Sequence, residues 1–377
     1  MVGHGRAVDA RDARVERDGR EDRGVVLRRA RGRGPGDAGL EVRIDGPRVV
    51  DGRAFPLVLG PARAAAASPA DRTAFVSQER EALVACLRRH GAVVLRGWGP
   101  TSTSRDFADV VAALEPDAHG GMACSAGVRL TVVDGGATHA VVTANEAPPE
   151  DTIPFHHEMA QCSTPPKYIC FFCECEPATG GATPLVLSRH VTAYVRATFP
   201  DLYARLKARG VRYTRVMPRL SDGTSALGKG WTVAYGVETR VALEARLDAE
   251  GFAYRWLAGD FVETVSPALA PFRRDATGAE NFFLAAETTF KEASGEEAGG
   301  TLRPTKGIRY GDGAQLSADD LAALRAVGAF IDARKVAFAW RHGDCLLIEN
   351  ATAMHARATF TGPRRILACM AGNLDDA

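Results

Sequence analysis

Apolar residues follow two rhythms along this chain. From about Asp71 to Arg89 they recur at helical spacing, with Phe75, Leu83 and Cys86 near one face. Gly91 then offers a C-terminal stop. Ala92-Val93-Val94-Leu95 is instead an unbroken apolar run of strand length, the pattern of a strand buried on both faces. Leu57-Val58-Leu59, Lys167–Cys173, Cys345–Glu349 and Ile366–Met370 repeat that pattern. Helical spacing returns over 104–114, 189–208 and about 239–250. It returns again after Ser317, where a Ser cap is followed three residues on by Asp320. Shorter strand-like pieces fall at 211–218, 253–256, 261–265, 281–284 and 336–340. The stretch 117–150 is rich in Gly, Ala and Pro and reads as a long loop with a strand at 128–133; 219–235 reads as a polar loop.

The helices gather early and in the middle, and short strands crowd the end. Strands and helices do not alternate, so the pattern predicts an antiparallel sheet packed by helices, not a doubly wound fold. The expected class is mainly β with flanking helices (α+β). Residues 1–37 differ from the rest: Arg, Gly and acidic residues dominate, with little to bury. A disordered tail is expected there, followed by one domain over 38–377 with lid insertions near 118–150 and 219–235. Acidic residues mixed into the tail, and no interleaved aromatics, argue against a nucleic-acid arm.

The bulk numbers add exclusions. The chain has 377 residues, 46% of them hydrophobic and 25% charged, and a formal net charge of +1. That balance makes no case for nucleic acid or a membrane surface as partner. No apolar run approaches the roughly 20 residues needed to span a bilayer, and the first residues lack an apolar signal core. Eight cysteines without framework spacing fit a reducing cytoplasm. Cys170, Cys173 and Cys175 lie on opposite faces of one strand, so they read as small buried residues and not as a metal cluster.

Candidate chemistry centres on Phe155-His156-His157-Glu158-Met159-Ala160-Gln161, where two imidazoles adjoin a carboxylate. In extended backbone residues i and i+2 share a face. His156 and Glu158 therefore point one way and His157 the other. A zinc-protease HExxH reading fails, because Gln161 stands where the second histidine belongs. Pro154 and Pro165-Pro166 also bracket too short a stretch for the helix that motif needs. A His-x-Glu pair completed by a distant histidine leaves open positions on a metal, as in non-haem Fe(II) oxygenases. His4 lies in the tail, His90 at a helix end, His119 and His139 in the Gly-rich loop, His190 at a helix start and His342 before a Gly-Asp turn. His355 follows the apolar strand 345–349 and its turn, so it is the best-fixed third ligand; the competing reading is a core histidine. Arg364-Arg365 then precede the apolar run 366–370. One guanidinium at that strand mouth suits a carboxylate, leaving the other for the surface. Gln161 and Arg357 are candidates for the substrate side, each with a purely structural alternative.

Taken together these stretches resemble the taurine dioxygenase-like (TauD/TfdA) Fe(II)/2-oxoglutarate oxygenases, nearest the branch of clavaminate synthase-like and syringomycin-pathway (SyrP-like) proteins. The resemblance runs through Gly91–Gly97, Phe155–Gln161, Phe171–Glu174, Gly180-Gly181-Ala182-Thr183-Pro184-Leu185, Gly343-Asp344-Cys345, Glu349-Asn350, His355-Ala356-Arg357 and Pro363–Leu367, covering roughly 55–373. It implies a double-stranded β-helix, a distorted jelly-roll of cupin-like form. It implies Fe(II) held by His156, Glu158 and His355. It also implies that Arg365 and the Thr183 hydroxyl bind the far carboxylate of 2-oxoglutarate, with Arg364 in that role if the register slips by one. Ala182 departs from the acid common before that threonine. With O2 as oxidant, the implied outcome is hydroxylation; desaturation, epoxidation or cyclisation would use the same iron–oxygen chemistry. Related halogenases have a small residue where this chain has Glu158. The implied substrate is a small polar molecule such as an amino acid, free or tethered to a carrier protein. A non-catalytic binding protein on the same barrel and a zinc hydrolase using the same ligands are the rival classes.

Overall fold

The computed structural model describes residues 49–61, 67–99, 102–116, 131–133, 140–144, 147–221, 230–284 and 305–374. The tail expected over 1–37 lies outside them, as do parts of both expected lids. No helix among the described residues is long and apolar enough to cross a membrane.

Two facing sheets form the centre. The larger has seven strands in the order Leu57–Leu59, Ala92–Leu95, Cys345–Glu349, Pro166–Cys175, Arg365–Asn373, Val141–Thr143 and Thr131–Val133. The smaller has three, Leu185–Leu187, Ala353–Arg357 and Ile153–His156. All neighbours are antiparallel except the first pair. This is the expected jelly-roll arrangement, and it explains why the large-sheet strands read as continuous apolar runs. Val94, Ile169, Phe171, Leu346, Ile348, Ile366 and Ala368 face the space between the sheets. Their sequence neighbours Val93, Leu95, Cys170, Phe172, Leu347, Leu367 and Cys369 face outward onto a layer of three helices, Pro69–Gln78, Arg80–His90 and Ser104–Leu114. Cys170 and Cys173 thus sit in different cores, as strand alternation requires.

The small sheet follows the same rule. Phe155, Val186, Met354 and Ala356 face the helices Ser188–Thr198, Pro200–Arg209 and Ala318–Arg334 and their surroundings. His156, His355 and Arg357 therefore face inward. A one-residue slip would drive His355 into the apolar helix layer and expel Met354. Losing Met354 alone would cost about 1.5–3 kcal/mol, so the register is firmly set. A third sheet, Ala253–Trp256, Val262–Val265, Val211–Met217 and Thr305–Tyr310, packs outside this pair.

Several boundaries differ from expectation. The 71–89 helix is two, broken at Glu79. The 189–208 helix breaks at Phe199, because a residue before proline is pushed out of helical backbone. The 336–340 strand is reduced to a single bridge between Val336 and Leu185. The 118–150 region supplies the last two strands at one side of the large sheet, and 231–235 is a short helix. Gly91 does end its helix, at φ 80°; a Cβ there would lie 2.7 Å from Leu187 Cδ2. Ser317 and Asp320 do form a capping box.

Candidate active site

The smaller sheet and the loop after it assemble the cluster. His156 sits directly opposite His355 across the strand pair, with ring centroids 4.4 Å apart. Glu158 follows, and its Oε2 lies 3.8 Å from His355 Nε2. One ligand atom from each of the three lies within 4.8 Å of the other two. His156 Nδ1 is 2.8 Å from the Pro154 carbonyl. A carbonyl only accepts, so Nδ1 carries the proton and Nε2 is the ligating atom. Two imidazoles and one carboxylate on one side, largely buried, are a donor set suited to Fe(II) with open positions.

Asn350 braces the carboxylate arm. Its Oδ1 accepts from the Glu158 N–H at 2.9 Å, and its Nδ2 donates to the carbonyls of Glu158 and Pro166, each at 2.9 Å. Met159 then turns through φ 56°, a left-handed conformation that must be held by its surroundings. Asn350→Ala removes three buried hydrogen bonds at about 1 kcal/mol each. The expected loss is about 2–4 kcal/mol in urea unfolding, together with a metal affinity about 10- to 100-fold weaker in titration.

His157 faces away, as strand alternation predicts. Its Nε2 is 2.8 Å from Ser188 Oγ, and its ring packs on Phe283 at 4.4 Å. Burial, then the neighbouring charges of His156 and Arg273, hold its pKa well below the usual histidine range. The other described histidines are engaged elsewhere: His90 with the Ala54 carbonyl, His190 with Asp51 and His342 with the Glu174 carbonyl.

A cavity opens beside the cluster, lined by His156, His355, Thr183, Arg364 and Arg357 on its polar side and by Ala144, Ile153, Phe171, Ala356 and Ile366 on its apolar side. Arg364 Nε donates to the Gly181 carbonyl at 3.0 Å, and its guanidinium lies over the Phe360 ring. Burial, then the charge of Arg357, lower its pKa to about 10. Gly181 has φ 65°, and a Cβ there would meet Pro177 Cγ at 2.7 Å and Arg364 Cδ and Nε at 3.0 Å. The second glycine of the Gly-Gly turn therefore makes room for the arginine.

The expected role of Arg365 does not fit its place. It points out of the barrel, its side chain 53% exposed, with Nε 2.6 Å from Glu174 Oε2. Arg364 just precedes the strand and lines the cavity with Ile366, whereas Arg365 opens the strand opposite Cys175, at an irregularity in its pairing, and turns outward. Arg357 lines the cavity, but its guanidinium donates to the carbonyls of Ala147 (2.8 Å), Pro148 (2.6 Å) and Asp151 (2.6 Å). It pins the segment that leads into Ile153–His156. Gln161 is partly exposed and does not line the cavity. Trp340, read from sequence only as part of a strand, donates from Nε1 to Thr183 Oγ1 at 3.2 Å. The bracing by Asn350 was equally hidden, although Asn350 stands in a motif.

The model of the taurine catabolism dioxygenase TauD, TfdA family matches residues 58–370. A clavaminate synthase-like protein of Arabidopsis thaliana is 32% identical over 344 residues, 88% of this chain and 98% of its own. The dapdiamide synthesis protein DdaC of Enterobacter agglomerans is 26% identical over 234 residues, 60% of this chain and 67% of its own. Among solved structures, PvcB from Pseudomonas aeruginosa aligns with a TM-score of 0.47 and 16% identity, covering 88% of this chain and 91% of its own.

Proposed function

The chain belongs to the taurine catabolism dioxygenase TauD, TfdA family, and from that premise we propose that His156, Glu158 and His355 hold its iron while Arg364 and Thr183 anchor its co-substrate. The protein is an Fe(II)- and 2-oxoglutarate-dependent oxygenase acting on a small molecule. When bound, Fe(II) with 2-oxoglutarate and O2 supplies the oxidising power, and succinate and CO2 leave as products.

The single observation behind the residue assignment is the meeting of three inward ligands beside a cavity that also holds the half-buried Arg364. His156 and His355 come from paired strands, so their spacing is set by backbone hydrogen bonds. Asn350 holds the Glu158 backbone so that the carboxylate joins them. Arg364 presents a planar fork to a carboxylate in a partly desolvated place, where such a pair is strongest. Thr183 adds a hydroxyl from the neighbouring turn. Phe171 and Ile366 keep water from the reacting side. A ligating carboxylate at Glu158 favours oxygen insertion over halide transfer, so hydroxylation is the outcome we assign. A relative named for dapdiamide synthesis supports a biosynthetic role; the substrate we assign is an amino acid, free or presented on a carrier protein. Seven free cysteines among the described residues support a cytoplasmic setting.

The test is succinate formation by the full chain with Fe(II) and 2-oxoglutarate, in air and under argon, with a panel of amino acids. Succinate should appear in air only and rise with the right substrate. No succinate in air, together with no binding of 2-oxoglutarate to the metal-loaded protein, would reject the reading.

A further inference from the structure

We propose that Trp340 is a positioning residue for the co-substrate: its indole N–H occupies one lone pair of Thr183 Oγ1 and so turns the threonine hydrogen toward the cavity. The inference rests on the reading of Thr183 and Arg364 as the carboxylate anchor.

The indole N–H can only donate, whereas a hydroxyl both donates and accepts. Trp340 Nε1 lies 3.2 Å from Thr183 Oγ1, and both side chains are buried. With that contact made, the Thr183 hydrogen cannot point at the tryptophan. Thr183 lines the cavity together with Arg364. An anion held by the arginine is then the acceptor that completes the hydroxyl. A threonine without the indole would keep several rotor positions, and binding would have to freeze one of them.

Trp340 can do this only if its own segment is rigid, and the segment is tied at four points. Val336 exchanges both backbone hydrogen bonds with Leu185, at 2.7 and 2.9 Å, close to Thr183 in the chain. Arg96 donates to the Ala339 carbonyl at 2.7 Å, next to Trp340. The same guanidinium grips Asp344 through both carboxylate oxygens, at 3.0 and 2.7 Å. Asp344 Oδ2 also accepts the Arg341 N–H at 2.8 Å. Phe338 packs edge-on to Trp340, centroids 5.0 Å apart. A buried ion pair of this kind is weak evidence for stability, and here it sits where it fixes the loop carrying the indole. On this reading Arg96 and Asp344, from two distant motifs, serve the co-substrate site through Trp340.

The test is calorimetric titration of the Mn(II)-loaded full chain with 2-oxoglutarate and with 2-oxobutyrate, which lacks the far carboxylate. Trp340→Phe keeps an aromatic ring and removes the donor. It should weaken 2-oxoglutarate binding about 3- to 10-fold and leave 2-oxobutyrate unchanged. In a Thr183→Val background it should add no further loss. Unchanged 2-oxoglutarate binding, an equal loss for 2-oxobutyrate, or an undiminished loss in the Thr183→Val background would each overturn the inference. If Thr183→Val alone binds 2-oxoglutarate like the parent, the anchor reading falls and takes the inference with it. If Thr183→Val weakens binding while Trp340→Phe does not, only the inference falls. Should Trp340→Phe fail to fold by circular dichroism, the unmutated Zn(II)-loaded chain decides. Its Trp340 indole ¹⁵N–H resonance should move with 2-oxoglutarate and not with 2-oxobutyrate, and equal responses would overturn the proposal.

Discussion

His355→Ala should abolish measurable Fe(II) binding while leaving the fold in place. The side chain faces the space between the sheets, and its neighbours Met354 and Ala356 anchor the strand in the helix layer on the other side. The strand keeps its pairing with Leu185–Leu187 and with Ile153–His156 through the backbone. The variant removes one of three donors and the ring that packs on His156 and Phe171. Losing an outer partner of a metal ligand costs about 10- to 100-fold in affinity. Losing the ligand itself should exceed about 100-fold in anaerobic titration with Fe(II), with succinate formation lost in parallel. Iron affinity equal to that of the parent chain would remove His355 from the site.

The second large effect separates two adjacent arginines. Arg364→Ala should weaken 2-oxoglutarate binding by the energy of a buried, hydrogen-bonded charge pair. That is about 2–4 kcal/mol, or about 30- to 700-fold in Kd. Arg365→Ala breaks only a half-exposed contact with Glu174 and should change Kd by less than about 2-fold. Calorimetric titration of both variants, loaded with Mn(II), reads the difference directly. The reverse order of effects would put the co-substrate on the outer face of the barrel.

The contrast between these arginines shows where sequence reading works and where it stops. His156, His157 and Glu158 are legible because polar and apolar positions differ around them: alternation alone sends His157 to the far side, where Ser188 and Phe283 receive it. Ile366-Leu367-Ala368-Cys369 carries no such contrast. Both faces of that strand are buried, so the pattern cannot say which parity looks into the cavity, and the pairing irregularity at Arg365 hides the choice between Arg364 and Arg365. The large-sheet strands themselves are legible for the same reason that their parity is not. His355 was legible as a fixed residue, but its strand was not, since Ala353–Arg357 has little β-branched or aromatic content. Asn350 and Trp340 act through contacts 192 and 157 residues away in sequence. No local pattern encodes such pairs. The split at Phe199 was readable from Pro200. The split at Glu79 has no comparable signal.

On the proposed assignment, one inward-facing set of side chains holds both the metal and the co-substrate. A crystal structure of the full chain with Mn(II) and 2-oxoglutarate tests it most directly. The metal is expected on His156 Nε2, the Glu158 carboxylate and His355, with the far carboxylate of 2-oxoglutarate between Arg364 and the Thr183 hydroxyl. A metal on His157, or a carboxylate held by Arg365, would contradict it.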